Sequence, residues 1–236
     1  MSEHHHHHHH APAIPVTMNM SFAIAVSANL LFPLAEAILA LEANSASLLG
    51  DAGHNFSDVL GLLLAWGATY LVSRASGRDY SYGYRRTTIL AALLNAMLLL
   101  LAAGYIAVQS LEKFYNPVAP SETLIILVAL VGIAVNGGTA LLFMKSSKGD
   151  LNLKGAFLHL AYDALISAGV VVGGVVILFT GWLWVDPLMG LLITAVIVYG
   201  TWALLRDSIN LILDAVPQGI DRQGIVSYLS ALPGVT

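Results

Sequence analysis

Of the 236 residues, 57% are hydrophobic and 10% charged, and the mean hydropathy is +0.77, a balance that excludes an ordinary soluble domain and places most of the chain in lipid. The absence of cysteine excludes disulfides and thiolate metal centres, so any metal must be held by nitrogen and oxygen. The formal charge of −4 carries little information by itself, and no nucleic-acid partner is expected.

The chain begins MSE followed by seven histidines, His4 to His10. This homopolymer reads as a tag, and residues 1–18 are set apart as a tag-like, His-rich cytosolic N-terminus; a natural metal-gathering tail is the alternative. No cleavable signal peptide is expected, because the first apolar segment is long and lacks a small-residue cleavage site. Runs near the roughly 20 residues needed to cross a bilayer then predict six helices, at about 19–42, 46–73, 86–112, 121–144, 153–180 and 185–206. Backbone groups in lipid must be satisfied within their own segment, so 19–213 is expected to be an all-α membrane protein domain, a six-transmembrane-helix bundle.

The first of these segments holds Asn29, Pro33 and Glu36. Proline is expected to kink the helix, and a glutamate at membrane depth needs a partner or water; packing against a neighbour and a part in ion or proton access explain it equally well. The second segment contains SLLGDAGHNFSDVLGLLLAWGATYL, in which His54 and Asp58 are four residues apart and so share one helix face. The spacing recurs at His159 and Asp163 in the fifth segment. A single pair of this kind is as well explained by local hydrogen bonding. Two pairs, with only Glu36 and Asp51 as further carboxylates in or near the spans, supply two imidazoles and two carboxylates, a set suited to four-coordinate Zn²⁺. Asp51, one turn before His54, is expected to support the site or line its exit path.

Gly169 and Gly173 form a GxxxG spacing, and Gly50, Gly53, Gly61 and Gly67 lie on the second segment; together they predict close packing of the second helix on the fifth. Asn95, Gln109 and Asn136 are expected to hydrogen-bond between helices, and Trp182 and Trp184 to anchor the outer boundary. Arg74, Arg78, Arg85 and Arg86 lie in the second connection, Lys145, Lys148 and Lys154 in the fourth, and Arg206 and Arg222 after the sixth helix, leaving Lys113 alone on the other side. The positive-inside rule therefore puts both termini in the cytoplasm. Beyond Asp214 a Pro/Gly break leads into a short amphipathic pattern with Ile225, Leu229 and Leu232 on one face, so 214–236 reads as the start of a truncated cytosolic α/β domain.

These motifs, with YSYGYRRTTILAALLNAMLLL, LNLKGAFLHLAYDALISAGVVVGG and GWLWVDPLMGLLI, resemble the cation diffusion facilitator family over about 20–236. The resemblance implies the cation-efflux transmembrane fold, a homodimer in the lipid bilayer, and export of a divalent metal from the cytosol in exchange for protons by alternating access. It places the metal site on His54, Asp58, His159 and Asp163, and a histidine at the first of these implies zinc in preference to cadmium. The location implied is a bacterial inner membrane. Histidine ligands in the second and fourth connections, present in some members, are missing, so one intramembrane site is expected. An intramembrane metalloenzyme is the less favoured class, because HExxH is absent and four protein ligands leave no place for a catalytic water. A non-transporting metal sensor or partner subunit is the remaining alternative.

Overall fold

Seven helices account for nearly all of residues 20–73, 86–144, 151–216 and 219–232, which the computed structural model describes. They are α1 (Met20–Glu42), α2 (Ala46–Ser73), α3 (Thr87–Tyr115), α4 (Glu122–Met144), α5 (Leu151–Thr180), α6 (Val185–Ile212) and α7 (Arg222–Ser230). The histidine run, Arg74, Arg78, Arg85, Lys145, Lys148 and the chain from 233 onward lie outside the described residues, as does much of the charge asymmetry argued above. No strand occurs among the described residues.

The helix ends follow partners more than polarity. The sequence ends the third helix at 112, ahead of Lys113, whereas α3 runs to Tyr115. Lys113 stays helical because its Nζ donates to the Asn44 carbonyl at 2.6 Å and stands 3.8 Å from the Asp186 carboxylate. The sixth helix, expected to stop at 206, continues to Ile212. Past it, Asp214 adopts a left-handed φ of 51° and receives both carboxylate contacts of Arg86, at 2.9 and 3.0 Å, which tie the start of α3 to the end of α6.

The broadest packed faces are α4 on α5 and α3 on α6, with α2 against α3 and α1 beside α2. Their shared core gathers Ala40, Leu48, Leu99, Ile125, Val170 and Ile193. Outward, Leu101, Leu127, Tyr199 and Trp202 are exposed, as helices surrounded by lipid require. Among the described residues, α3, α4, α5 from Lys154 and α6 are long and apolar enough to cross a membrane. Trp182 and Trp184 stack with ring centroids 5.6 Å apart in the turn between α5 and α6.

The glycine expectation is corrected. A Cβ at Gly169 or Gly173 would meet Met189 of α6, and one at Gly50 would meet Ile193, also of α6, so these glycines do not draw α2 onto α5. A GxxxG spacing defines a smooth stripe without saying which neighbour fills it. The tightest approach between the long helices is at Gly190, where a Cβ would lie 2.7 Å from Ser110 Oγ and 3.0 Å from the backbone carbon of Ala46. Three helices meet there. Gly190→Val is expected to destabilise the protein by about 1–3 kcal/mol through overpacking, read as a lower Tm in detergent; an unchanged Tm would mean that α2, α3 and α6 are free to part at this point.

α7 starts at Asp221, whose Oδ1 accepts from the Gly224 N–H at 3.0 Å as an N-cap. Ile225 and Leu229 are exposed on it.

Candidate metal site

The site begins with the way α2 starts. Asn44, at φ 49°, reverses the chain after α1, and the orphan N–H groups of the next helix are then met in turn. Asp186, from the first turn of α6, accepts Ala46 N at 2.7 Å and Ser47 N at 3.1 Å, while Ser45 Oγ accepts Leu48 N at 3.1 Å. The hydroxyls of Ser45 and Ser47 also donate to Asp186, each at 2.6 Å. A carboxylate from another helix thus caps the positive end of the α2 dipole. This fixes the height of every residue further along α2.

Two turns on, α2 faces α5 across a ladder of polar contacts. Asp58 Oδ2 stands 3.3 Å from His159 Nε2, and His54 Nε2 stands 3.4 Å from Asp163 Oδ1. Within each helix, His54 Nδ1 is 3.8 Å from Asp58 Oδ2 and His159 Nε2 is 3.7 Å from Asp163 Oδ2. The four contacts close a ring. Ligand bonds of about 2.0–2.1 Å in a tetrahedron require donor atoms roughly 3.4 Å apart; the two contacts across the helices, at 3.3 and 3.4 Å, have that spacing, whereas the ring as a whole uses both nitrogens of His54 and both oxygens of Asp163. Asp58 Oδ2 and Asp163 Oδ1 have no hydrogen-bond partner. They are bare acceptors opposite imidazole nitrogens.

The ring is not symmetrical. His54, Asp58 and Asp163 bring one ligand atom each within 4.8 Å of one another. His159 touches both aspartates from the open side, with 49% of its side chain exposed against 5% for Asp163. A cavity of about 580 Å³ reaches these residues. It is lined by Asn29, Asn55, Asn95, Asn136 and Thr139 and by residues near the start of α1, the end of α4 and the start of α5, so it lies toward the end of the bundle opposite the Asn44 turn. Apart from Asp58, His159 and Asp163, the polar part of its wall is these neutral amides and one hydroxyl, set among apolar side chains.

Asn95 and Asn136 were expected as bridges between helices, yet both line this cavity, with Asn95 Oδ1 and Asn136 Nδ2 unpartnered. Asn29 does bridge, donating to Thr139 Oγ at 2.7 Å.

Asp51 and Glu36 lie on the other side of the ring, both fully buried. Asp51 Oδ2 accepts from Ser167 Oγ at 2.7 Å, a third α2–α5 rung one turn beyond His54 and Asp163. Glu36 Oε2 accepts from Asn55 Nδ2 at 3.0 Å. Ser167 and Asn55 were not singled out in the sequence. Ser167 carried a signal, being four residues after Asp163 on the same helix face. Asn55 carried none, as its neighbour His54 already accounted for polarity at that height.

A helical bundle with histidine and aspartate pairs facing across two of its helices offers a nitrogen–oxygen donor set of the kind that suits a transition metal. Residues 22–213 match the cation efflux transmembrane domain. The chain belongs to the cation efflux, or cation diffusion facilitator, family and is an integral membrane protein. It is 33% identical over 202 residues to the Cadmium, cobalt and zinc/H(+)-K(+) antiporter of Bacillus subtilis, a match covering 85% of this chain and 65% of that one. It is 34% identical over 215 residues to the Metal cation efflux system protein CzcD of Cupriavidus metallidurans, covering 91% and 68%. With the Zinc transporter ZitB of Pectobacterium atrosepticum the identity is 32% over 195 residues, covering 82% and 61%. The chain therefore spans about two thirds of the length of these relatives.

Proposed function

We propose that this protein exports Zn²⁺ from the cytosol in exchange for protons, by alternating access at a His₂Asp₂ centre made of His54, Asp58, His159 and Asp163. The observation that carries the reading is the closed ring of contacts from 3.3 to 3.8 Å between α2 and α5, at the inner end of a cavity. Two carboxylates neutralise a dication in a low dielectric, and two imidazoles favour zinc over hard Mg²⁺ and Ca²⁺. His54 in the first ligand position favours zinc over cadmium. The names of the relatives, which include zinc, cadmium and cobalt, agree with a transition-metal cargo.

In this reading α1 to α6 all cross the membrane, with α1 and α2 carrying the polar groups that line the route. Both termini are cytoplasmic, the membrane is a bacterial inner membrane, and the cavity opens to the cytosol. Residues 214–236 begin a cytosolic domain, and the protein works as a homodimer. Cytosolic zinc binds only to deprotonated ligands, so zinc and protons exclude one another at the ring. A small rocking of α2 against α5 breaks the ring and frees the ion toward Asp51 and the outer face.

Zinc uptake into proteoliposomes under an imposed pH gradient tests this, with internal zinc and internal pH read together. Opposed movements of zinc and protons are expected, both lost in His54→Ala. Stoichiometric zinc binding with no flux in the wild-type chain would reject transport in favour of a sensor.

A further inference from the structure

We propose that Glu36 carries one of the exchanged protons, as a proton station on α1 separate from the four metal ligands. The inference rests on the exchange reading above and adds a residue to it. Glu36 is 0% exposed, and its surroundings offer a single hydrogen bond, from the neutral amide of Asn55 to Oε2. Oε1 has no partner, and no lysine, arginine or histidine lies within ion-pair distance among the described residues. Burying a carboxylate on such terms costs several kcal/mol. As the neutral acid it places its proton on Oε1, the unpartnered atom.

Its ionisable neighbours sharpen the argument. From α2, the buried Asp51 lies one turn before Asn55, the residue that holds Glu36. α4, which also packs on α1, brings only Glu122 in its first turn. Every acidic neighbour opposes a negative Glu36. A dication held by His54, Asp58, His159 and Asp163 cancels the charge of the two ring carboxylates and so lessens that opposition. Zinc binding therefore favours Glu36–COOH → Glu36–COO⁻ + H⁺, and zinc departure favours the reverse.

The proton has a route. Asn29 and Pro33 line the cavity, and Glu36 follows them on the same stripe of α1, at positions i, i+4 and i+7. Asn55, which holds Glu36, is itself a wall of the cavity. One side-chain amide therefore separates the carboxyl from cavity water, which receives the proton when zinc enters. Reprotonation follows after zinc has left on the opposite side, so one proton moves against each zinc through α1.

The test counts protons released as Zn²⁺ is added to the full chain in weakly buffered detergent, with a pH indicator. Glu36→Gln, an isosteric mimic of the neutral acid, is expected to release about one proton fewer per Zn²⁺ and, because the two events are linked, to bind zinc more weakly than wild type while still binding it stoichiometrically. Glu36→Asp keeps an ionisable group and is expected to release the wild-type number; it also serves if the glutamine variant does not fold. Unchanged proton release in Glu36→Gln overturns the proposal, as does a folded Glu36→Gln protein that no longer binds zinc, which would make Glu36 part of the metal centre. Failure of the wild-type chain to bind zinc would sink the metal-centre reading and this proposal together.

Discussion

Asp163→Asn is expected to weaken zinc binding by at least about 100-fold, since even residues that only support metal ligands contribute 10–100-fold. Asp163 is the most buried of the four proposed ligands and stands 3.4 and 3.7 Å from the two histidines. Asparagine keeps its shape but not its charge, so the dication is left with one neutralising carboxylate. The metal-free protein should not suffer, because the substitution removes a buried charge whose Oδ1 has no hydrogen-bond partner. The signature is therefore a split result. Wild-type protein at about 100 times its Kd for zinc gains roughly 2.7 kcal/mol of stability, and the variant at the same zinc concentration gains a small fraction of that, from an apo Tm equal to or above wild type. Equal zinc stabilisation of both proteins would place the metal elsewhere.

Asp186→Ala is expected to be the most damaging substitution away from the ring. The alanine removes the acceptor for two backbone N–H groups and two hydroxyls at the start of α2 and strands Lys113, 12% exposed, beside them. Breaking a buried charge pair from one side costs about 3–5 kcal/mol, a large part of the 5–15 kcal/mol that holds an ordinary protein folded. A sharp fall in Tm and in yield from the membrane should follow. Adding Lys113→Met should recover part of the loss, because the unpaired ammonium is then gone. A single variant melting with wild type would show that the α2 cap does not depend on Asp186.

Asp186 also shows where sequence reading stopped. Its acidity beside the Trp182–Trp184 boundary was visible, but its partners are about 140 residues earlier in the chain, and no local pattern reports a cap supplied from another helix. His54, Asp58, His159 and Asp163 were legible for the opposite reason: a four-residue spacing is a statement about one helix face, and ionisable groups on an apolar helix are costly enough to be few. The structure brings all four together. Helix identity was equally legible, since apolar length alone specifies it. Azimuth was not. Gly169 and Gly173 meet α6, and Asn95 and Asn136 turn toward the cavity, because which neighbour faces a stripe is decided by the packing of six helices at once.

The cap at the start of α2 has a mechanical meaning. Among the described residues, α2 has its densest run of polar contacts at Ala46–Leu48, which makes that end the natural fulcrum for any swing of the helix. At 1.5 Å per residue, Asp58 is about 18 Å from the fulcrum and Asp51 about 7 Å. A swing of about 5° therefore carries Asp58 roughly 1.6 Å but Asp51 only about 0.6 Å. Metal coordination tolerates about 0.2 Å. Angle alone, with no sliding and no loss of the cap, is then enough to dissolve the ring while the Asp51–Ser167 rung keeps its shape.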